Sequence, residues 1–260
     1  MFSSKFRICT AFGIPVYLDM SLIILLILFV MDFRSFSFGL SCAVVLALSI
    51  TRHQLGPALT ARTFGYQTRD ITLSLLGGCA SLISMPRKAS QEFLTAAAGP
   101  LVSFVLAGAG WAAAKYLPIE NEWLLGILAC TFWMNIMLGG FNLLPGFPMD
   151  GGRIFRSIAR IFTSRPKATY AAMIVGRVFA ILLALRGLHS IFTRGGWGFV
   201  SLLIAWMIWK EGWREYVQSV QEEQWGSPWE YSARVSPPPY ADDDEEEVEI
   251  RRKRCANCLM

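Results

Sequence analysis

The sequence predicts an all-α polytopic membrane protein with about six transmembrane helices and a short cytoplasmic-side β-hairpin or re-entrant segment. Three observations carry this reading. The 260 residues are 54% hydrophobic and only 17% charged, with a mean hydropathy of +0.43, too apolar for an ordinary soluble domain. Six apolar runs approach the ~20 residues needed to cross the hydrocarbon of a bilayer. Lysine and arginine also collect in alternate connecting loops.

In order, the expected spans cover roughly residues 14–31, 38–58, 93–117, 122–144, 170–192 and 196–213. The first opens at "GIPVYLDMSLIILLILFV" and carries no small-residue cleavage site after it, so it reads as a retained anchor. Lys5 and Arg7 precede it. Arg62, Arg69, Arg87 and Lys88 lie between spans two and three, and Arg153, Arg156, Arg160, Arg165 and Lys167 between four and five. The alternate loops carry only Arg34, Lys115 and Arg194. A multi-pass protein of the cell (inner) membrane with both termini cytoplasmic satisfies this asymmetry. The net charge of +5 is then topology and contact with the lipid bilayer. The basic residues are spread through short loops rather than gathered with aromatics on one face, so no nucleic acid is expected as a partner.

Between spans two and three, "ITLSLLGGCASLIS" (residues 71–84) alternates in part around Gly77 and Gly78, the pattern of a hairpin or edge strand. The six cysteines form no disulfide framework: Cys42 and Cys130 fall inside spans, and Cys9 and Cys79 on the side where thiols stay reduced. A membrane domain is expected over residues 1–215. Residues 216–260, with "SPPPYADDDEEEVEIRRKRCANC", read as a disordered charged cytoplasmic tail. The CxxC at Cys255 and Cys258 offers two ligands where structural zinc takes four.

Two polar patches interrupt the apolar pattern. His53 and Gln54 follow "CAVVLALSI" at one end of span two, and Asp150 follows span four in "FNLLPGFPMDGGRIFR". Ionisable groups at such depth are costly and tend to face a bundle interior. Asn142, Pro145, Pro148 and Gly151–Gly152 break the helix around the aspartate, which is tolerated where protein or water covers the backbone. In span three, Gly99, Pro100 and Gly108 permit close helix approach.

These stretches resemble a family. "HQLGPALTARTFG" is similar to the zinc-binding helix of the site-2 protease family of intramembrane metalloproteases, whose pattern is HExxH. "NLLPGFPMDGGRIFR" resembles that family's Asp-Gly motif, and "QEFLTAAAGPLVSFVLA" a further segment, with Ser103 where asparagine is common. The similarity covers roughly residues 10 to 216. It implies zinc held by two histidines one helical turn apart and an aspartate, with a glutamate as general base. It also implies strands that hold an unwound substrate, giving Asn142, Pro145, Gly77 and Gly78 as substrate-binding positions.

The sequence departs from that pattern at two positions. His53 and Asp150 match metal ligands. Gln54 stands at the base position, and a carboxamide cannot accept a proton at neutral pH. Pro57 stands at the missing ligand, and its ring should clash with the carbonyl of His53 at a cost of about 3 kcal/mol. His189 lies in span five, and Cys42 is about 16 Å up the same helix, so neither replaces it. Zinc, expected for the family, should be weak or absent. The leading expectation is a proteolytically inactive relative that binds or regulates membrane-anchored protein clients. The alternative is an active zinc-dependent intramembrane metalloendopeptidase acting on single-span membrane proteins.

Overall fold

The computed structural model describes residues 5–31, 33, 35–74, 78–82, 88–193 and 198–225. Strands β1 (Lys5–Ala11) and β2 (Ile14–Asp19) come first, followed by helices α1 (Met20–Met31) and α2 (Phe36–Thr63). Strands β3 (Thr68–Leu73) and β4 (Cys79–Leu82) precede α3 (Ala89–Tyr116), α4 (Glu122–Asn142), α5 (Asp150–Ala159), α6 (Arg165–Thr193) and α7 (Gly198–Trp225).

Among the described residues, four helices, α2, α3, α4 and α6, are long and apolar enough to cross a membrane. They coincide with the second to fifth expected spans. The start of the first expected span is corrected: Ile14–Asp19 is a strand, and the apolar helix α1 begins at Met20. The switch falls at Asp19, whose Oδ1 accepts the Ser21 N–H at 2.8 Å and caps the helix start. The sixth expected span lies within α7, where Lys210, Glu211, Arg214 and Glu215 make the second half polar. That helix continues to Trp225, past the boundary read from composition at residue 216; the later tail and its CxxC lie outside the described residues.

The expected hairpin over 71–84 is part of a larger sheet of order β1-β2-β3-β4. β1 and β2 are antiparallel across a turn at Phe12 (φ 52°) and Gly13 (φ 82°). β2 and β3 are parallel, Val16 opposite Ile71 and Leu18 opposite Leu73, with α1 and α2 forming the crossover. β3 and β4 are antiparallel. Ile14, Val16, Ile71 and Leu73 pack with Leu22 of α1 and with Ile50 and Ala58 of α2, so the sheet is fixed to the helix that carries His53.

α2 runs without interruption through Pro57. Its neighbour α3 approaches closely because Gly56 has no side chain: a Cβ there would lie 2.7 Å from the Ala98 carbonyl oxygen. Asn135 of α4 donates from Nδ2 to Ser49 Oγ at 2.9 Å, one turn before His53.

Candidate functional site: a histidine–aspartate pair in the cleft

Asp150 is the first residue of α5, and the backbone that presents it is folded tightly. A Cβ at Gly151 would collide with the carbonyl oxygens of Leu143 and Leu144, and one at Gly152 would stand 2.7 Å from the Gly146 carbonyl. Glycine at both positions lets α5 turn back against the end of α4 and aim Asp150 at α2. Carboxylate charge at a helix N-terminus is favourable.

Arg156, counted in the sequence only as a topological charge, fixes α5 in place. Its side chain is buried, with Nε donating to Glu92 Oε1 at 2.7 Å and Nη2 2.6 Å from the same oxygen. Its Nη1 donates to Glu215 Oε2 at 3.1 Å, and its guanidinium lies 4.8 Å from the centre of the Phe147 ring. Arg160 holds the other Glu92 oxygen at 3.1 Å. α5 is thereby joined to α3 and α7. Burial alone would raise the Glu215 carboxyl; the guanidinium groups of Arg153, Arg156 and Arg165 and the Arg156 hydrogen bond outweigh it and hold it below its ordinary value.

At the centre, His53 is almost wholly buried and bonded on both ring nitrogens. Nε2 lies 3.0 Å from Asp150 Oδ2, and Nδ1 lies 2.9 Å from Ser103 Oγ. Gly99, one turn before Ser103 on α3, leaves the room for this pair. A Cβ there would stand 2.8 Å from His53 Nε2 and 2.9 Å from Asp150 Oδ2. Ser103, His53 and Asp150 form a chain that resembles a nucleophilic triad, but its direction is reversed. Ser103 is fully buried, whereas Asp150 faces the cleft, so the serine hydroxyl has no access to a substrate.

The cleft has a volume of about 280 Å³. Gln54, Pro57, Gly78, Asn142, Pro148 and Asp150 line it, and α7 contributes Met207, Glu211, Arg214 and Glu215. Of the expected site residues, the structure brings Gln54, Pro57, Asn142, Gly78 and Asp150 to this one cavity, with His53 behind Asp150. Pro145 does not join them; it is exposed on the turn between α4 and α5. Gly77 lies outside the described residues. Pro148, read from the sequence only as a helix breaker, and the α7 residues were not anticipated. The spacing of Met207, Glu211 and Arg214 puts them on one helical face, and that polar stripe in an otherwise apolar segment was the available signal. His189 is exposed on α6 and takes no part.

The model of Peptidase family M50 matches residues 118–185, a stretch that includes Asp150 but stops short of α2. A zinc metalloprotease of Methanocaldococcus jannaschii is 32% identical over 186 residues, 71% of this chain and 54% of the relative. A relative from Synechocystis sp. is 32% identical over 225 residues, 79% of this chain and 58% of its own length. The chain thus spans a little over half the length of these curated relatives. The solved site-2 protease of M. jannaschii superposes with a TM-score of 0.64 at 28% identity, covering 82% of this chain and 95% of that one. The chain belongs to the site-2 protease family.

Zinc is expected for members of the site-2 protease family, and the donor set in this member can be tested against it. Catalytic zinc takes three protein ligands and leaves one position open. Here the α2 position one turn after His53 is a proline, which has no donor atom. Among the described residues no group of three His, Cys, Asp or Glu side chains could hold a metal ion. The two matching donors bond directly to each other. The residues present do not fit a catalytic zinc centre.

Proposed function

We propose that this membrane protein is a non-catalytic site-2 protease relative that binds or regulates membrane-anchored proteins without cutting them. The observation that carries the reading is the His53–Asp150 hydrogen bond of 3.0 Å, with Pro57 beside it on the cleft wall. Each donor satisfies the other, no third ligand stands near among the described residues, and Gln54 in the base position is neutral. The cleft remains open, with polar side chains on a largely apolar wall. Gln54 and Asn142 offer carboxamides that can both donate to and accept from an extended backbone. β4 is an edge strand beside them, suited to strand addition by an unwound client segment.

Zinc content and cleavage test this together. Purified full-length chain should hold substoichiometric zinc or none by elemental analysis, and should leave a single-span test substrate intact. One tightly held zinc per chain, or cleavage abolished by Asp150→Ala, would sink the proposal. For membrane placement, Lys88 at the start of α3 and Lys167 in the first turn of α6 should lie on the cytoplasmic side together with both termini. Reporter fusions after each lysine should agree, and an external signal from either rejects that arrangement.

A further inference from the structure

Three sulfur-bearing side chains gather between α2 and α4, away from the cleft. Cys42 lies on α2, eleven residues before His53 and about 16 Å from it along the helix axis. It is completely buried, and Cys130 and Met134 of α4 are part-buried. Cys130 Sγ donates to Met134 Sδ at 3.6 Å, and the Cys130 thiol interacts with that of Cys42 across the helix interface.

The register of the two helices places the cysteine pair independently. A Cβ at Gly126 would stand 2.9 Å from Phe38 Cε2, and Asn135 Nδ2 bonds to Ser49 Oγ at 2.9 Å, so α2 and α4 run in the same direction with these residues level. Cys42 follows Phe38 by four residues, and Cys130 follows Gly126 by four. One turn along each helix therefore brings the two thiols to the same level of one interface. Met134 is a further turn along α4, and its long side chain leans back toward the helix N-terminus and onto Cys130.

Such a donor set matches a soft ion. Thiolate and thioether ligands select Cu(I), whereas carboxylate, carbonyl and water suit hard cations. Two sulfurs that share one ion at ~2.3 Å each lie no more than about 4.6 Å apart, and the 3.6 Å between Cys130 and Met134 is within that limit. Charge favours a monovalent ion as well. One thiol that releases its proton on binding makes, with Cu(I), a complex of zero net charge, the form that a low-dielectric helix interface accommodates. Zinc would need both thiols ionised for the same balance, and structural zinc takes four ligands where three sulfurs stand here.

We propose that Cys42, Cys130 and Met134 form a binding site for a single Cu(I) ion between α2 and α4. The part exposure of Cys130 and Met134 gives the ion an approach that the buried Cys42 alone would not. The site is separate from the cleft and does not depend on the function proposed above.

The test uses full-length chain in detergent, kept reduced and titrated with Cu(I) against a chromogenic Cu(I) chelator. With Cys9, Cys79, Cys255 and Cys258 changed to serine, the chain should still retain one Cu(I). In that background Cys42→Ser or Cys130→Ser should abolish retention, and Met134→Leu should weaken it at least ~10-fold. X-ray absorption at the copper edge, which needs no variant in the helices, should show sulfur neighbours alone. Retention unchanged by either serine substitution, no copper held once the other four cysteines are gone, or nitrogen and oxygen neighbours around the ion would overturn the site. A Cys42–Cys130 disulfide in chain isolated without reductant, found together with no Cu(I) binding after reduction, would overturn it too and assign the pair to a covalent strap.

Discussion

His53 and Asp150 are 97 residues apart in the chain and 3.0 Å apart in space, each completing the other's hydrogen bonding. In a metalloprotease of this family both would be turned toward a metal. Here the imidazole spans from Asp150 to Ser103, so both ring nitrogens have protein partners. A buried polar network of this kind is stable only while every member keeps its partner.

That dependence gives the first prediction. Ser103→Ala should leave His53 Nδ1 buried without a partner and lower stability by about 1–3 kcal/mol. Thermal unfolding of the purified chain in detergent would register the loss. An unchanged midpoint would mean that the serine hydroxyl does not hold the ring.

The pair also depends on a missing methyl group. Gly99→Ala would place a Cβ 2.8 Å from His53 Nε2 and 2.9 Å from Asp150 Oδ2, forcing one or both to move. The expected cost is about 1–3 kcal/mol. Gly108→Ala, on the same helix with nothing within 4 Å of its Cβ, is the control. It should be neutral or stabilising by up to ~1 kcal/mol, since alanine is the better helix former. Equal responses at the two positions would remove the close approach as the reason for glycine at 99.

Repair is the third prediction. Pro57 lines the cleft with Asp150, so an imidazole at that position would face the existing donors. Gln54→Glu alone should bring no metal. Pro57→His alone should raise zinc content but leave cleavage of a single-span substrate down by ~10²–10⁴-fold for want of a general base. Only the double variant should gain both. A double variant that folds and binds zinc yet stays inert would place a further loss elsewhere, with Ser103 the first residue to examine.

Much of this site was legible because it rests on side-chain chemistry that composition does not hide. A histidine and an aspartate beside long apolar runs stand out, and the glycines after Asp150 announce a tight turn. The strand at Ile14–Asp19 was obscured for the opposite reason: its apolar residues run straight into those of α1, so nothing in hydropathy marks the switch at Asp19. Pro57 was expected to disturb its helix, yet α2 continues through it, held on the sheet by Ile50 and Ala58 and on α3 at Gly56. Arg156 looked like one more loop charge, because pairing with Glu92 and Glu215, 64 and 59 residues away, has no local signature.

The Arg156 cluster leads to the last prediction. Glu215 is held below the ordinary carboxylate range because Arg153, Arg156 and Arg165 outweigh the effect of burial. A carboxyl with a depressed folded-state value binds protons more readily when unfolded. Its stabilisation is therefore complete above the unfolded value near ~4.3 and is lost as pH falls through the lower folded value. Glu215→Gln should cost about 1.5–3 kcal/mol at neutral pH, toward the lower figure because Glu92 still holds Arg156. The gap between the unaltered chain and the variant should stay constant from pH 7 to about 5 and close as the pH is taken below ~4. Thermal unfolding of both proteins across that range measures it. A gap that widens on acidification, or one already closed at pH 6, would mean that Glu215 is not ionised against Arg156 in the folded protein.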